Sequence, residues 1–184
     1  MQQRFCANGR DPQLLDLVEI EFVSPQQHPF QPENHAIDPR SQWQHRGSVS
    51  WKDVVTAAEE VKGPLWANVG SSKYGQNDEI PQEVAPGLKN SLKLVQTDEL
   101  IVRVKMEGGK FGDGKRKLRG EFLLAGYWYT LSVTDCAIEN ALKTCAMGTE
   151  KVFKGPLLCL SLSEVFEPKH SCYKLIAGVI PTEA

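Results

Sequence analysis

Apolar side chains recur at every second position late in the chain. Leu100, Val102, Val104 and Met106 alternate with Ile101, Arg103 and Lys105. A period of two marks a strand with one buried face. The next stretch, Glu107 to Lys117, holds four glycines and, Phe111 apart, nothing apolar, so it reads as a loop. Leu118 to Leu124 and Tyr127 to Val133 then flank Ala125 and Gly126, a two-residue hairpin turn. That turn sets Leu124 opposite Tyr127, Phe122 opposite Tyr129, Gly120 opposite Leu131 and Leu118 opposite Val133. These pairs share one face and are nearly all apolar. The other face carries Arg119, Glu121 and Leu123 against Ser132, Thr130 and Trp128. A one-residue slip would invert every side chain, so the agreement of turn and pattern supports this register.

Asp135 is placed to cap a helix running to about Met147, with Ile138, Ala141, Leu142 and Cys145 on one face and Gly148 as its stop. Pro156 to Ser163 and Cys172 to Ile180 are the last two strands, separated by the polar loop Glu164 to Ser171. From Leu92 onward the order is therefore strand, basic loop, hairpin, helix, strand, loop, strand. This is the order of the oligonucleotide/oligosaccharide-binding (OB) barrel, whose ligands fall on known loops. A fold by itself does not establish a function.

The first half is less regular. Leu15 to Val23 reads as a strand, with Val18, Ile20 and Phe22 at alternate positions. Ser24 to Arg46 is polar and proline-rich. Ser50 caps a predicted helix to about Val61 with the stripe Trp51, Val54, Val55, Ala58 and Val61, and Asp53 stands at the capping-box position. Gly63 to Ser91 follows with four Gly and three Pro. So long a structureless stretch is uncommon in a compact domain. It is expected to hold a short strand at Leu65 to Val69 and to pack across the barrel as a functional loop.

The 184 residues suffice for one large or two small domains, and 41% hydrophobic with 24% charged residues is an ordinary globular mix. A net charge of −2 argues against a general nucleic-acid coat protein, although a local basic loop remains able to bind. The five cysteines, Cys6, Cys136, Cys145, Cys159 and Cys172, form no CxxC pair, which speaks against a zinc ribbon or a thioredoxin-like site. They read as buried free thiols of a reducing cytosol. No segment approaches 18 apolar residues, and the N-terminal MQQRFCANGR has no hydrophobic core of the kind a signal peptide needs. A cytoplasmic protein with no membrane partner is expected.

Several segments, taken in order, resemble the dual OB-fold domain of bacterial defence and conflict systems. They are His28-Pro29-Phe30-Gln31-Pro32-Glu33-Asn34, Ile37-Asp38-Pro39 with Trp43, Gly63-Pro64-Leu65-Trp66 and Ser71-Ser72-Lys73-Tyr74-Gly75-Gln76-Asn77-Asp78. Phe111-Gly112, Lys115-Arg116-Lys117, Val133-Thr134-Asp135, Leu160-Ser161-Leu162-Ser163 and Cys172-Tyr173-Lys174-Leu175-Ile176-Ala177 complete the set. The resemblance runs from about Leu15 to Ile180. It implies a mainly β protein, a β-barrel with short helices, built as two OB-fold-like barrels over residues 1–91 and 92–184. It also implies a role in sensing or holding nucleic acid, and it carries over no catalytic residue. Family members usually begin with an extra strand and turn ahead of the position of Leu15, whereas about a dozen residues precede it here. A shortened, incomplete first barrel is therefore expected, and its open sheet edge could recruit a partner strand.

Candidate chemistry concentrates in the barrel loops. Gly108 to Arg119 carries Lys110, Lys115, Arg116, Lys117 and Arg119 against Asp113 alone. These cations could track a phosphate backbone while Phe111 stacks a base, or they could serve only to keep a hairpin loop soluble. Trp128 faces outward, as a stacking platform or as a surface for the Gly63 to Ser91 segment or for the first barrel. Glu164 to Ser171 offers Phe166, Lys169 and His170, opposed by Glu164 and Glu167. His28, His35, His45 and Glu33 lack the spacing of a metal motif and read as partners for loop backbone. Ser71 to Asp78 is not a Walker loop; it is a structural loop or a backbone anion cradle. No GxSxG or other nucleophile motif occurs, and Glu59 and Glu60 point apart on a helix. The expectation is a non-enzymatic protein without metal or cofactor. It binds single-stranded DNA or RNA through Lys110, Phe111, Lys115, Arg116, Lys117, Arg119, Trp128 and Lys169, in a bacterial defence or mobile-element system. The alternative is an adaptor that grips a protein partner from the same operon.

Overall fold

The structure, a computed structural model, describes residues 6, 9–26, 28–108 and 114–182. It is mainly β. In the first half, β1 (Asp16–Glu19), β2 (Phe22–Pro25), β3 (His35–Ile37) and β4 (Gln44–Ser48) pair as two antiparallel ladders, β1 with β4 and β2 with β3. The strand expected over Leu15 to Val23 is split, and each ladder carries a register shift, at Leu17/Val18 and at Phe22/Ser24. Among the described residues these ladders do not close into a barrel. Helix α1 (Trp51–Thr56) has the expected capping box between Ser50 and Asp53. It stops at Thr56 rather than near Val61 because the chain turns to the barrel, where the Glu59 amide donates to Leu94 O at 2.7 Å.

The remaining elements are β5 (Glu79–Pro81), β6 (Leu92–Gln96), β7 (Glu99–Glu107), β8 (Lys115–Leu124), β9 (Tyr127–Val133), α2 (Cys136–Leu142), β10 (Glu150–Lys154), β11 (Leu157–Leu162) and β12 (Ser171–Ile180). The large sheet runs β10-β7-β8-β9-β12-β11-β6. Its two ends are one seam. Glu99 lies opposite Lys154 and Gln96 opposite Leu157, so the register is unbroken from β7 with β10 to β6 with β11. β6 and β7 are thus two halves of one bent strand, as are β10 and β11, and five long strands close an OB barrel. The β8–β9 hairpin has the expected register, with Leu124 on Tyr127, Phe122 on Tyr129 and Gly120 on Leu131. Inward residues of these strands form the core, and α2 closes it with Ile138 and Leu142.

Two boundaries differ from the sequence reading. α2 ends at Leu142, well short of Met147, because the Arg116 guanidinium donates to Leu142 O and satisfies a terminal carbonyl. β10, which the sequence reading left unassigned, forms because the free edge of β7 offers it a full ladder. Asp135 caps α2 as expected, accepting from the Ala137 and Ile138 amides, and its other oxygen accepts from the Val179 amide of β12.

β9 and β12 run parallel and pair only at Ser132–Leu175 and Val133–Ile176. Beyond that point they diverge, and the segment after Gly63 fills the gap. β5 adds antiparallel to β12, and Gln76 exchanges two backbone bonds with Thr130 of β9. Leu65 is buried in the barrel core. The strand expected at Leu65 to Val69 does not form: Trp66 sits at φ 55°, incompatible with extended chain, and the Leu65 amide donates to the Tyr129 hydroxyl at 2.8 Å. Lys174 of β12 points inward here and is 0% exposed. Its Nζ donates to Ala67 O (2.7 Å) and Asn68 Oδ1 (2.8 Å) and lies 5.3 Å from the Tyr129 ring centroid. Burial lowers its pKa to about 7.

All five cysteines are free. Cys6 and Cys172 are buried as expected, but Cys136 is exposed on α2 and Cys145 and Cys159 are half-buried, which corrects the expectation of buried thiols for these three. Among the described residues, no helix is long and apolar enough to cross a membrane.

Candidate functional site

The outer faces of β8, β9 and β12 form the floor of a groove of about 810 Å³. Strand alternation supplies the floor: Lys117 and Arg119 from β8, Ser132 from β9, Tyr173 and Leu175 from β12. One wall is the segment 71–78 and the other is the loop 163–170. In barrel order β8 and β9 are the second and third strands, and the wall at 163–170 is the loop between the fourth and fifth. OB barrels present oligonucleotides to this face.

The 163–170 wall is internally braced. Ser163 bonds Tyr173 twice, by its amide to Tyr173 O and by its Oγ from the Tyr173 amide. The Phe166 amide donates to Ser171 O, and the Lys169 amide to Phe166 O. The turn presents Phe166, 52% exposed, and Lys169 to solvent. The Phe166 and Tyr173 rings are tilted, with centroids 6.4 Å apart.

The opposite wall is organised around Asp78, which is buried. Its carboxylate accepts from the Ser72 amide (2.7 Å) and Ser72 Oγ (2.6 Å). The Asn77 amide donates to Ser71 Oγ. The Ser72 and Asn77 amides are thus consumed within the turn, as in a structural loop. Gly75 is required by space: a Cβ there would stand 1.9 Å from Asp78 Oδ2. Tyr74 reaches over to accept from the Gly108 amide at 3.2 Å, at the root of the basic loop. That bond, with Lys73 alongside, holds the Tyr74 phenol below its ordinary pKa.

Charge in the groove is partly spent. Arg119 grips Glu107 with two bonds, of 2.6 and 2.8 Å, and lies 3.5 Å from Asp78. Burial opposes its charge, but the Glu107 carboxylate outweighs burial and raises the guanidinium pKa. Lys117, Lys169 and Lys73 have no ion-pair partner among the described residues, and each lines the groove. Glu79 and Glu164 also line it.

The residues expected from the sequence scatter accordingly. Lys110 and Phe111 lie outside the described residues. Lys115, Arg116, Lys117 and Arg119 are not loop residues: pairing with β7 extends β8 back to Lys115. Alternation along that strand then separates them. Lys117 reaches the groove. Arg116 points the other way and caps α2. Arg119 faces the groove but is only 7% exposed, its charge engaged by Glu107 and Asp78. Lys115 is exposed, opposite Glu107, and does not line the groove. Trp128 is 55% exposed beside Leu123. It too lies off the groove, with Asn77 bonded to its carbonyl at 2.9 Å. Lys169 lines the groove as expected. Sequence reasoning did not single out Tyr173 or Lys73. Tyr173 shares the outward phase of Leu175 and was open to the alternation argument, whereas nothing local marks Lys73.

Searches of curated proteins and of solved structures give no match. A family model described as the dual OB-containing domain matches residues 1–179. With a closed OB barrel in its second half and that match spanning nearly its whole length, the chain belongs to the dual OB-containing domain family.

Proposed function

We propose that this chain is a non-catalytic, cytoplasmic module that binds single-stranded nucleic acid along the β8–β9–β12 groove, within a bacterial defence or mobile-element system. The setting rests on the sequence resemblance. The binding reading rests on one observation: three lysines without ion-pair partners, Lys73, Lys117 and Lys169, share this groove with the aromatic rings of Tyr74, Phe166 and Tyr173. Cations and aromatic rings in one groove suit a strand that offers both phosphates and unstacked bases. Two groove hydroxyls are engaged structurally, Ser72 with Asp78 and Ser163 with Glu164 O, which favours binding over nucleophilic chemistry at those positions.

The test is fluorescence anisotropy of labelled single-stranded DNA and RNA at two salt concentrations. Binding should weaken as salt rises. Replacing Lys117 and Lys169 together by Glu should weaken it further and flatten the salt slope by roughly 1.4, at about 0.7 per phosphate contact. Unchanged affinity and slope in that variant would remove the groove as the site.

A second reading, an adaptor for a protein partner, is favoured by β2, where Phe22 and Val23 are 57% and 58% exposed on a two-stranded ladder. A partner that stays bound in high salt and is lost on Phe22→Ser with Val23→Thr would support it.

A further inference from the structure

We infer that the Phe166–Tyr173 end of the groove is a single-base subsite, and that Glu79 makes it favour bases carrying an exocyclic amino group over thymine and uracil. The inference rests on the nucleic-acid reading above and assigns its orientation and selectivity.

A groove that only tracked phosphates would gain nothing from acids, yet Glu79 lines it. Its place is set by pairing. Glu79 lies opposite Tyr173 in the β5–β12 ladder, so both side chains stand on the same face. The contact registers in the phenol, whose pKa is raised by burial and then by the Glu79 charge. Phe166 stands across from Tyr173 on a turn closed by its own backbone bonds, so its half-exposed ring is held in place, tilted toward the Tyr173 ring.

The charges then dictate how a strand lies. Phosphates are drawn to Lys117 and Lys169 and repelled from Glu79 and Glu164, and of these two acids it is Glu79 that stands opposite Tyr173 in the β5–β12 ladder. A base resting on Phe166 therefore turns its edge toward β5. A carboxylate offers acceptors alone. Adenine, cytosine and guanine bring an amino group to such an acceptor, as a carboxylate reads the cytosine amine in duplex DNA. Thymine and uracil bring one imide N–H flanked by two carbonyl oxygens, which the carboxylate repels. The shared ligand chemistry is a nucleotide with an amino-bearing base, in a strand or free.

The experiment compares anisotropy of dA, dC and dT homopolymers of equal length on the intact protein, with Phe166→Ala, Phe166→Tyr and Glu79→Gln variants whose folding is verified by urea denaturation. Wild type should bind dA and dC more tightly than dT. Phe166→Ala should lose roughly tenfold on all three, within the range of one lost stacking contact, and Phe166→Tyr should restore it. Glu79→Gln should collapse the base preference without changing the salt slope, because an amide both donates and accepts. AMP displacing the oligomer better than UMP supports the subsite whichever source supplies the base. Salt-sensitive binding with equal affinity for all three homopolymers, or indifference to Phe166→Ala, overturns the subsite alone. No binding to any homopolymer at low salt overturns the subsite together with the nucleic-acid reading.

Discussion

Lys174 lies in an environment far from the one a lysine ordinarily occupies. It is wholly buried and closes three weak points at once: Ala67 O, Asn68 Oδ1 and the Tyr129 ring. Its folded pKa of about 7 lies below the ordinary 10.5. Between those values the unfolded chain holds a proton that the folded chain has shed, so stability rises with pH across the window and falls as pH drops toward 7. Urea midpoints taken from pH 7 to 10 should therefore climb in the wild type, and Lys174→Met should remove this contribution to the slope. Gly120 is the counterpart on the packing side. A Cβ there would lie 2.4 Å from Ile176 Cδ1 and 3.0 Å from Leu100 Cδ1. Gly120→Ala should destabilise the barrel by about 1–3 kcal/mol, the usual cost of overpacking, read as a lower urea midpoint. The sequence marked Gly120 as a core-facing position but not Lys174. In an alternating strand a lysine in the inward phase looks like an error until the strap that supplies its acceptors is in view.

Among the elements, β8 shows most clearly where sequence reasoning runs out. Glycine and lysine density made Glu107 to Lys117 read as loop, because local composition cannot reveal a neighbouring strand that continues the ladder. Once β7 pairs to Glu107, the same basic run becomes alternating, and Arg116, Lys117 and Arg119 go to a helix end, a groove and a buried ion cluster. Arg119 knits three elements, holding Glu107 of β7 and Asp78 of the 71–78 turn from its place on β8. Arg119→Met would strand two largely buried carboxylates. It should cost about 3–5 kcal/mol, as for a broken buried pair, measurable by denaturation. The salt slope of nucleic-acid binding should stay unchanged, since that guanidinium is engaged by protein carboxylates. The helix ends were misplaced for a related reason: α1 and α2 both stop where a tertiary partner captures the backbone, Leu94 in one case and Arg116 in the other.

For the molecule as a whole, the hairpin register, both helix caps and the last two strands were legible, because each rests on neighbours in sequence: a two-residue turn, a side chain two or three positions from the amide it accepts, an alternation. Those signals sufficed for the OB order and, with the scattered motifs, for the family. The insertion of residues 65–81 into the seam between β9 and β12, and the groove those residues wall, were not legible. They join positions as far apart as Asp78 and Arg119, or Ala67 and Lys174, and no local period encodes which loop will meet which strand. Composition therefore pointed to a basic loop and, apart from it, to Lys169, whereas folding gathers Lys117 and Lys169 with Phe166, Tyr173 and Glu79 in one groove, residues that converge only when a strand, two loops and a strap pack against one another.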